Sequence, residues 1–134
     1  MPMPEINWIA VLLCGVASLV LGGLWYSPML FAGAWQRAAG LSDEQAKSGN
    51  MPLIFGGAFV LSVIAAAVFA MFLGRNFGLG PATAAGLSAG LCWVAASYGI
   101  NYLFERRPLK LWLINGGYHT LQFTLFGLIL GWMH

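Results

Sequence analysis

Three polar side chains share one face of an apolar stretch near the C-terminus. Asn115, His119 and Gln122 follow one another at spacings of four and three residues, which places them on the same side of a helix. Ser97 and Asn101 repeat this spacing in the preceding apolar stretch. Such groups can bind a ligand, carry a proton or ion, or join helices by hydrogen bonds. Hydrogen bonds of this kind contribute on average only about 0.6 kcal/mol in a membrane, so their presence alone does not indicate a function.

The acidic residues do not extend this set into a catalytic group. Glu5, Asp43, Glu44 and Glu105 all lie outside the middle of the apolar stretches, which argues against a carboxylate proton relay. The chain has no HExxH, GxSxG or CxxC motif and no glycine-rich phosphate loop. We therefore expect no enzyme activity, no cofactor and no metal site. A membrane enzyme that uses His119 is the least favoured interpretation.

The composition places these residues in a membrane. Of the 134 residues, 60% are hydrophobic and 7% are charged, and the mean hydropathy is +0.79. A soluble protein has about 25% charged residues, and a chain of this length could not hide so much apolar surface from water. The net charge of +2 is small, and the basic residues form no stripe with interleaved aromatic residues. Nucleic acid is therefore excluded as a partner.

The charged residues divide the chain into four membrane-length stretches. The stretches without Asp, Glu, Lys or Arg are residues 6–36, 48–74, 76–104 and 111–134. About 20 residues of helix cross the hydrocarbon layer, and helices are favoured because backbone polar groups in lipid need partners within the segment. We predict an all-α fold, a four-transmembrane-helix bundle that forms a single domain over residues 1–134, with helices near 6–27, 53–73, 82–104 and 111–133. The first stretch has no preceding basic residue and no A-x-A site, so we expect it to be retained rather than removed as a signal peptide.

The basic residues orient these helices. Five of the six fall in the segments after the first and the third helix: Arg37, Lys47, Arg106, Arg107 and Lys110. Because positively charged segments stay in the cytoplasm, both termini are predicted to lie outside the cell membrane.

The segment between the first two helices predicts short interfacial helices. Apolar residues recur there at helical spacing: Leu30, Phe31, Ala34, Trp35 and Ala38. Ser42 and Gln45 form a capping-box pattern that would begin a second short helix through Lys47. We interpret the segment as an anchored connector, with a gate or partner-docking element as the alternative.

Small residues form ladders with a four-residue step on every predicted long helix. The ladders are Ser18 and Gly22; Ser62, Ala66, Ala70 and Gly74; Ala82, Gly86 and Gly90; and Gly127 and Gly131. Such faces let helices approach closely in lipid. Because one thin bundle needs only some of these contacts, we predict a homo-oligomer, with a self-contained monomer as the alternative.

Two sequence strings fall on the predicted inner side of the membrane. GGLWYSPMLFAGAW covers residues 22–35, and FERRPLKLWLINGGYH covers residues 104–119. Together with INW at residues 6–8 and the four-span layout, they resemble the bacterial domain of unknown function 1761 family (DUF1761) over nearly the whole chain. The resemblance implies a small integral protein of the bacterial inner membrane. It supplies no substrate, cofactor or catalytic residue.

Aromatic, ionic and polar residues converge at this inner side. A short turn brings Asn101 and Asn115 to similar depth on adjacent antiparallel helices, and we expect a direct hydrogen bond between them. The ligand or pore candidates are Trp25, Tyr26, Asn101, Glu105, Arg106, Asn115, His119 and Gln122. The alternative interpretation is architectural, with aromatic anchoring, basic contacts to lipid headgroups and helix packing.

The sequence as a whole predicts a non-enzymatic, oligomeric membrane protein that binds or conducts a small solute or a lipid-like ligand. The alternative is a structural or regulatory subunit that docks onto another membrane protein. A polar cavity that reaches His119 would favour the first function, and a dry, fully packed bundle would favour the second.

Overall fold

The computed structural model describes residues 6–74 and 77–133, and every regular element in these two ranges is helical. The elements are α1 (Trp8–Trp25), α2 (Ala32–Ala39), α3 (Asp43–Lys47), α4 (Met51–Leu73), α5 (Leu79–Ser88), a π-helical segment (Ala89–Ala95), α6 (Ala96–Glu105) and α7 (Leu109–Trp132). The π-helical segment joins α5 to α6, so that Leu79–Glu105 forms one continuous long helix. The all-α class is confirmed, and the four predicted long helices begin and end within three residues of the observed ones.

Three of the four long helices are long and apolar enough to cross a membrane. They are Trp8–Trp25, Met51–Leu73 and Leu79–Glu105. The fourth long helix, α7, has 24 residues but carries Asn115, His119 and Gln122 along its middle. The structure therefore supports three apolar membrane-length helices, while the fourth span stays a prediction.

Side-chain caps fix the starts of α1, α3 and α4. The Asn7 side chain accepts a hydrogen bond from the Ala10 amide at 3.1 Å and donates to the Met133 carbonyl at 2.6 Å, which joins the start of α1 to the end of α7. The predicted capping box is confirmed, because Ser42 and Gln45 exchange side-chain and backbone hydrogen bonds at the start of α3. The short helices predicted after α1 are thus present as α2 and α3.

The central element of the bundle is α7. It packs against α1, α2, α4, α5, the π-helical segment and α6. It runs antiparallel to α1, because its end contacts Asn7 while the Trp25 indole donates to the Ile114 carbonyl near its start. The largest fully buried side chains among the described residues are Val11, Cys14, Ser18 and Phe126, which lie on α1 and α7.

The predicted small-residue ladders pack inside the chain. A Cβ atom on Gly86 would overlap the Phe123 carbonyl, and one on Gly127 would overlap the Ala82 carbonyl. On α4, Ser62 and Ala66 are buried. Contacts between the chain's own helices therefore account for most positions of these ladders, Gly74 with nothing within 4 Å of its Cβ position being an exception, and the homo-oligomer predicted from them stays a prediction.

The π-helical segment shifts the packed face of the third long helix by one residue. This face runs through Ala82, Gly86 and Gly90 in steps of four, then takes a step of five to Ala95 and a step of four to Gly99. A Cβ atom on Gly99 would lie 2.9 Å from the Trp112 indole nitrogen, and that nitrogen donates to the Ala95 carbonyl at 2.8 Å. One extra residue turns the following helix by about 100° relative to an uninterrupted α-helix.

The close approach of α5 and α7 predicts a large difference between two glycine substitutions. Gly86→Ala should lower the apparent melting temperature in detergent, because overpacking of this kind costs about 1–3 kcal/mol. Gly56→Ala on α4 is the matched control: it makes the same chemical change in a helix, at a position with nothing within 4 Å of the new Cβ atom. Equal melting temperatures for the two variants would contradict the packing described for α5 and α7.

Candidate functional site

All four tyrosines of the chain gather around Asn115 and His119 of α7. They come from three places in the fold: Tyr26 at the end of α1, Tyr98 and Tyr102 on α6, and Tyr118 on α7. Tyr26 and Tyr118 have ring centroids 5.6 Å apart, and those of Tyr98 and Tyr102 are 5.7 Å apart. Tyrosine suits this position because its ring packs as an apolar group while its hydroxyl pairs with polar neighbours.

Asn115 joins α1 to α6 through two tyrosines. Its Oδ1 accepts a hydrogen bond from the Tyr26 hydroxyl at 2.6 Å, and its Nδ2 donates to the Tyr102 hydroxyl at 2.8 Å. The predicted hydrogen bond between Asn101 and Asn115 is therefore wrong. Asn101 is exposed and lines a shallow groove with Trp93 and Ser97.

The π-helical segment explains this correction. An uninterrupted α-helix continuing from Gly90 would turn Ser97 and Asn101 toward α7. The extra residue of the π-helical segment places the next residues, Tyr98 and Tyr102, on that face instead. The spacing of Ser97 and Asn101 predicts the face that they would occupy in a regular α-helix, but the π-helical segment makes the third long helix irregular.

His119 is held by hydrogen bonds on both ring nitrogens. Its Nδ1 lies 2.7 Å from Gln122 Oε1, and its Nε2 lies 3.2 Å from the Tyr98 hydroxyl. The Gln122 amide nitrogen donates to the hydroxyls of Ser18 and Ser62, at 3.0 and 3.2 Å, so its Oε1 is left to accept from His119 Nδ1–H. The imidazole is then neutral, and its Nε2 accepts a hydrogen bond from the Tyr98 hydroxyl.

These hydrogen bonds tie α1, α4, α6 and α7 together at one depth. Gln122 is buried and contacts a serine on each of two apolar helices. In the described residues, no buried side-chain nitrogen or oxygen lacks a partner. Asn115, His119 and Gln122 on the polar face of α7 therefore each have hydrogen-bond partners inside the bundle.

A cavity of about 740 Å³ lies over this cluster. Its floor is polar and aromatic, formed by Tyr26, Tyr98, Asn115, Tyr118 and His119. Its walls are mainly apolar and include Leu19, Ala32, Ile54, Phe55 and Ala58. Among the described residues, no Asp, Glu, Lys or Arg side chain lines it. The cavity therefore combines one polar surface with apolar sides.

The short helix α2 covers one side of the cavity. Trp35 and Gln36 face into it, and the Trp35 ring meets the Tyr26 ring edge-on at 5.8 Å. The C-terminal end of α2 is held by Arg107, whose guanidinium donates a hydrogen bond to the Ala39 carbonyl at 3.3 Å. The connector predicted between the first two helices is thus part of the cavity wall.

The predicted site residues divide into three groups. Tyr26, Asn115 and His119 line the cavity. Trp25 and Gln122 belong to the surrounding packing, since the Trp25 indole donates to the Ile114 carbonyl at 2.8 Å and Gln122 is buried beneath His119.

The remaining candidates lie away from the cavity. Asn101 is in the separate groove, and Glu105 and Arg106 are exposed at the end of α6. The Glu105 Oε1 atom lies 3.6 Å from the Arg107 Nε atom. Arg106 ends α6 in the left-handed backbone conformation, with φ of 59°.

Sequence reasoning missed five residues of this cluster: Ser18, Ser62, Tyr98, Tyr102 and Tyr118. One signal was available for two of them. Tyr98 and Tyr102 are four residues apart within an apolar stretch, the same spacing as Ser97 and Asn101. The serine contacts depend on which helices are neighbours, and the local sequence does not contain that information.

Comparison with known proteins gives a family and no closer relative. The family model described as "Protein of unknown function (DUF1761)" matches residues 9–131. No curated protein and no solved structure matches the chain. The match begins at the second residue of α1 and ends in the last turn of α7. Because it covers nearly the whole chain, the protein belongs to the DUF1761 family, as the sequence strings at residues 22–35 and 104–119 indicate.

Proposed function

We propose that the protein crosses the membrane with all four long helices and binds a small amphipathic molecule, without enzymatic action, in the cavity over His119. The cavity of about 740 Å³, polar at its floor and apolar at its walls, is the observation that carries this proposal. Ligand-binding cavities commonly have volumes of about 300–1,000 Å³. A molecule with a polar head and an apolar body would match both surfaces.

The pairing of its polar side chains supports α7 as the fourth span. Its 24 residues give a length of about 36 Å at 1.5 Å per residue, enough to cross the hydrocarbon layer. It lies antiparallel beside the apolar helix α1 over the full length of α1. Asn115, His119 and Gln122 bond to other helices or to each other, which lowers the cost of placing them in lipid.

Binding is favoured over conduction because the bundle is closed beyond the cavity. Gln122 is buried between Ser18 and Ser62, and the next layer contains the fully buried side chains Cys14 and Phe126. This apolar layer leaves no polar path along α7 beyond Gln122. We therefore propose a binding protein of the bacterial inner membrane rather than a channel.

Filling the cavity should weaken binding without unfolding the protein. A photoactivatable monoacylglycerol with a diazirine in its acyl chain is the probe, and mass spectrometry locates the cross-links. Gly23 lines the cavity and has nothing within 4 Å of a new Cβ atom. Gly23→Trp should lower saturable labelling of the cavity walls about tenfold or more, because displaced packing contacts are worth about 1–3 kcal/mol.

Gly56→Trp is the matched control for this substitution. Gly56 also has open space around its Cβ position but does not line the cavity. The labelling pattern of the Gly56→Trp variant should equal that of the unmodified protein. Absence of saturable cavity labelling in the unmodified protein would overturn the proposed function and favour a docking subunit.

The polar side chains of the cavity floor should contribute more to ligand binding than to the stability of the fold. His119→Leu should weaken saturable labelling about tenfold, while its melting temperature changes little, since hydrogen bonds between membrane helices average about 0.6 kcal/mol and reach about 1.7. Thr124→Val is the control, because the Thr124 hydroxyl bonds only within α7 and the residue lies outside the cavity. Unchanged labelling with a lower melting temperature would assign His119 to helix packing alone.

The charge distribution supports a cytoplasmic position for α2 and α3, with both termini outside. Ser42, at the start of α3, and Gly78, at the start of α5, come before and after α4 in the chain. Single cysteines at these two positions therefore test the two sides of the membrane. An impermeant maleimide should label Gly78→Cys in intact cells and Ser42→Cys only after permeabilisation. The unmodified protein is the control, because Cys14 is buried and Cys92 lies within a predicted span. The reverse labelling order would contradict this orientation.

A further inference from the structure

The cavity floor uses its hydroxyl and ring hydrogen-bond donors internally. Tyr26 donates to Asn115, and Tyr118 donates to the Ser18 carbonyl at 2.9 Å. His119 Nδ1–H faces the Gln122 oxygen, which leaves Nε2 to accept from Tyr98. Apart from the second N–H of the Asn115 amide and the Trp35 indole N–H, a ligand therefore meets aromatic rings and oxygens whose protons are already donated elsewhere. This surface is poorly suited to an anionic head group, which needs donors or a positive charge.

Three aromatic rings meet at one corner of the cavity with their planes well inclined to one another. The Tyr26 and Trp35 planes are 74° apart at a centroid distance of 5.8 Å, and the Tyr26 and Tyr118 planes are 52° apart at 5.6 Å. All three residues line the cavity. The faces of aromatic rings carry partial negative charge and attract cations, most strongly where water is excluded.

A carboxylate contacts one of the residues that line the cavity beside Trp35. Gln36 lines the cavity, and its amide nitrogen donates to the Asp43 carboxylate at 2.7 Å. Arg37 is the closest basic residue along α2, but its guanidinium lies against Gly33, which does not line the cavity. No described basic side chain therefore competes with a cation at the cavity surface.

We infer that this cavity selects amphiphiles with an organic cation as head group, and a quaternary ammonium above all. The inference rests on the proposed function, because it names the ligand class of the same cavity. A quaternary ammonium donates no hydrogen bonds and is less strongly hydrated than a primary one, so a floor of ring faces and lone pairs suffices for it. The apolar chain would lie along the walls formed by Leu19, Ile54 and Phe55.

Competition between amphiphiles of equal chain length tests this selectivity. The photoactivatable monoacylglycerol labels the cavity, and the competitors are decyltrimethylammonium, its uncharged all-carbon isostere and decyl phosphate. The ammonium should displace the label at about 5- to 30-fold lower concentration than the isostere, since desolvated cation–π contacts are worth about 1–2 kcal/mol. Decyl phosphate should be the weakest competitor.

Two substitutions at Trp35 separate the ring from its bulk. Trp35 lies on the short helix α2, and among the described residues its side chain makes no hydrogen bond, so the bundle should tolerate both changes. Trp35→Phe should keep most of the preference for the ammonium over the isostere. Trp35→Leu should reduce that preference about threefold or more, measured as the ratio of the two displacing concentrations in the same variant.

The results distinguish this inference from the proposed function. Equal displacement by the ammonium and the isostere, or an unchanged preference in Trp35→Leu, would overturn the cation selectivity while cavity labelling still supported the proposed function. Absence of saturable cavity labelling would overturn both. Decylphosphocholine identifies the source of the cation: displacement equal to that by decyltrimethylammonium indicates a choline lipid head group, and weaker displacement indicates a free lipophilic cation.

Discussion

The polar side chains of α7 can lie at membrane depth only if other helices surround and pair them. Asn115, His119 and Gln122 occupy the middle of a helix that is too polar to count among the apolar spans. The other long helices meet this requirement by packing around α7 with complementary groups, two serines and three tyrosines. Much of the remaining architecture follows from enclosing this one helix.

The third long helix packs its backbone closely against α7 in one part and makes hydrogen bonds to the polar groups of α7 in another. In α5, Gly86 lets the backbone approach α7 so closely that no side chain fits between them. In α6, the large rings of Tyr98 and Tyr102 reach the polar groups of α7. The π-helical segment between them changes the register, so that one helix presents small residues at one end and tyrosines at the other. π-Helical turns are frequent at functional sites for this kind of reason.

The cavity lies at the tyrosine end of the bundle, away from the close contact between Gly86 and α7. Glycine contacts hold α5 against α7, whereas bulky rings and the short helix α2 fill the other end only in part. The polar groups that stabilise the helix contacts are therefore the same groups that form the cavity floor. Helix packing and the proposed ligand binding therefore involve the same residues, so variants must be assessed for stability and binding together.

The sequence by itself determined the helical class, the limits of the long helices to within three residues, the capping box at Ser42 and the placement of Asn115 and His119 on one helix face. These features depend on local composition and on side-chain spacing along one segment. Only the tertiary structure decided that Tyr102 rather than Asn101 pairs with Asn115, because a single π-helical step rotates every later residue of that helix. It also decided that Ser18 and Ser62 meet at Gln122, since hydrogen bonds across about 60 and 100 residues of chain depend on which helices become neighbours.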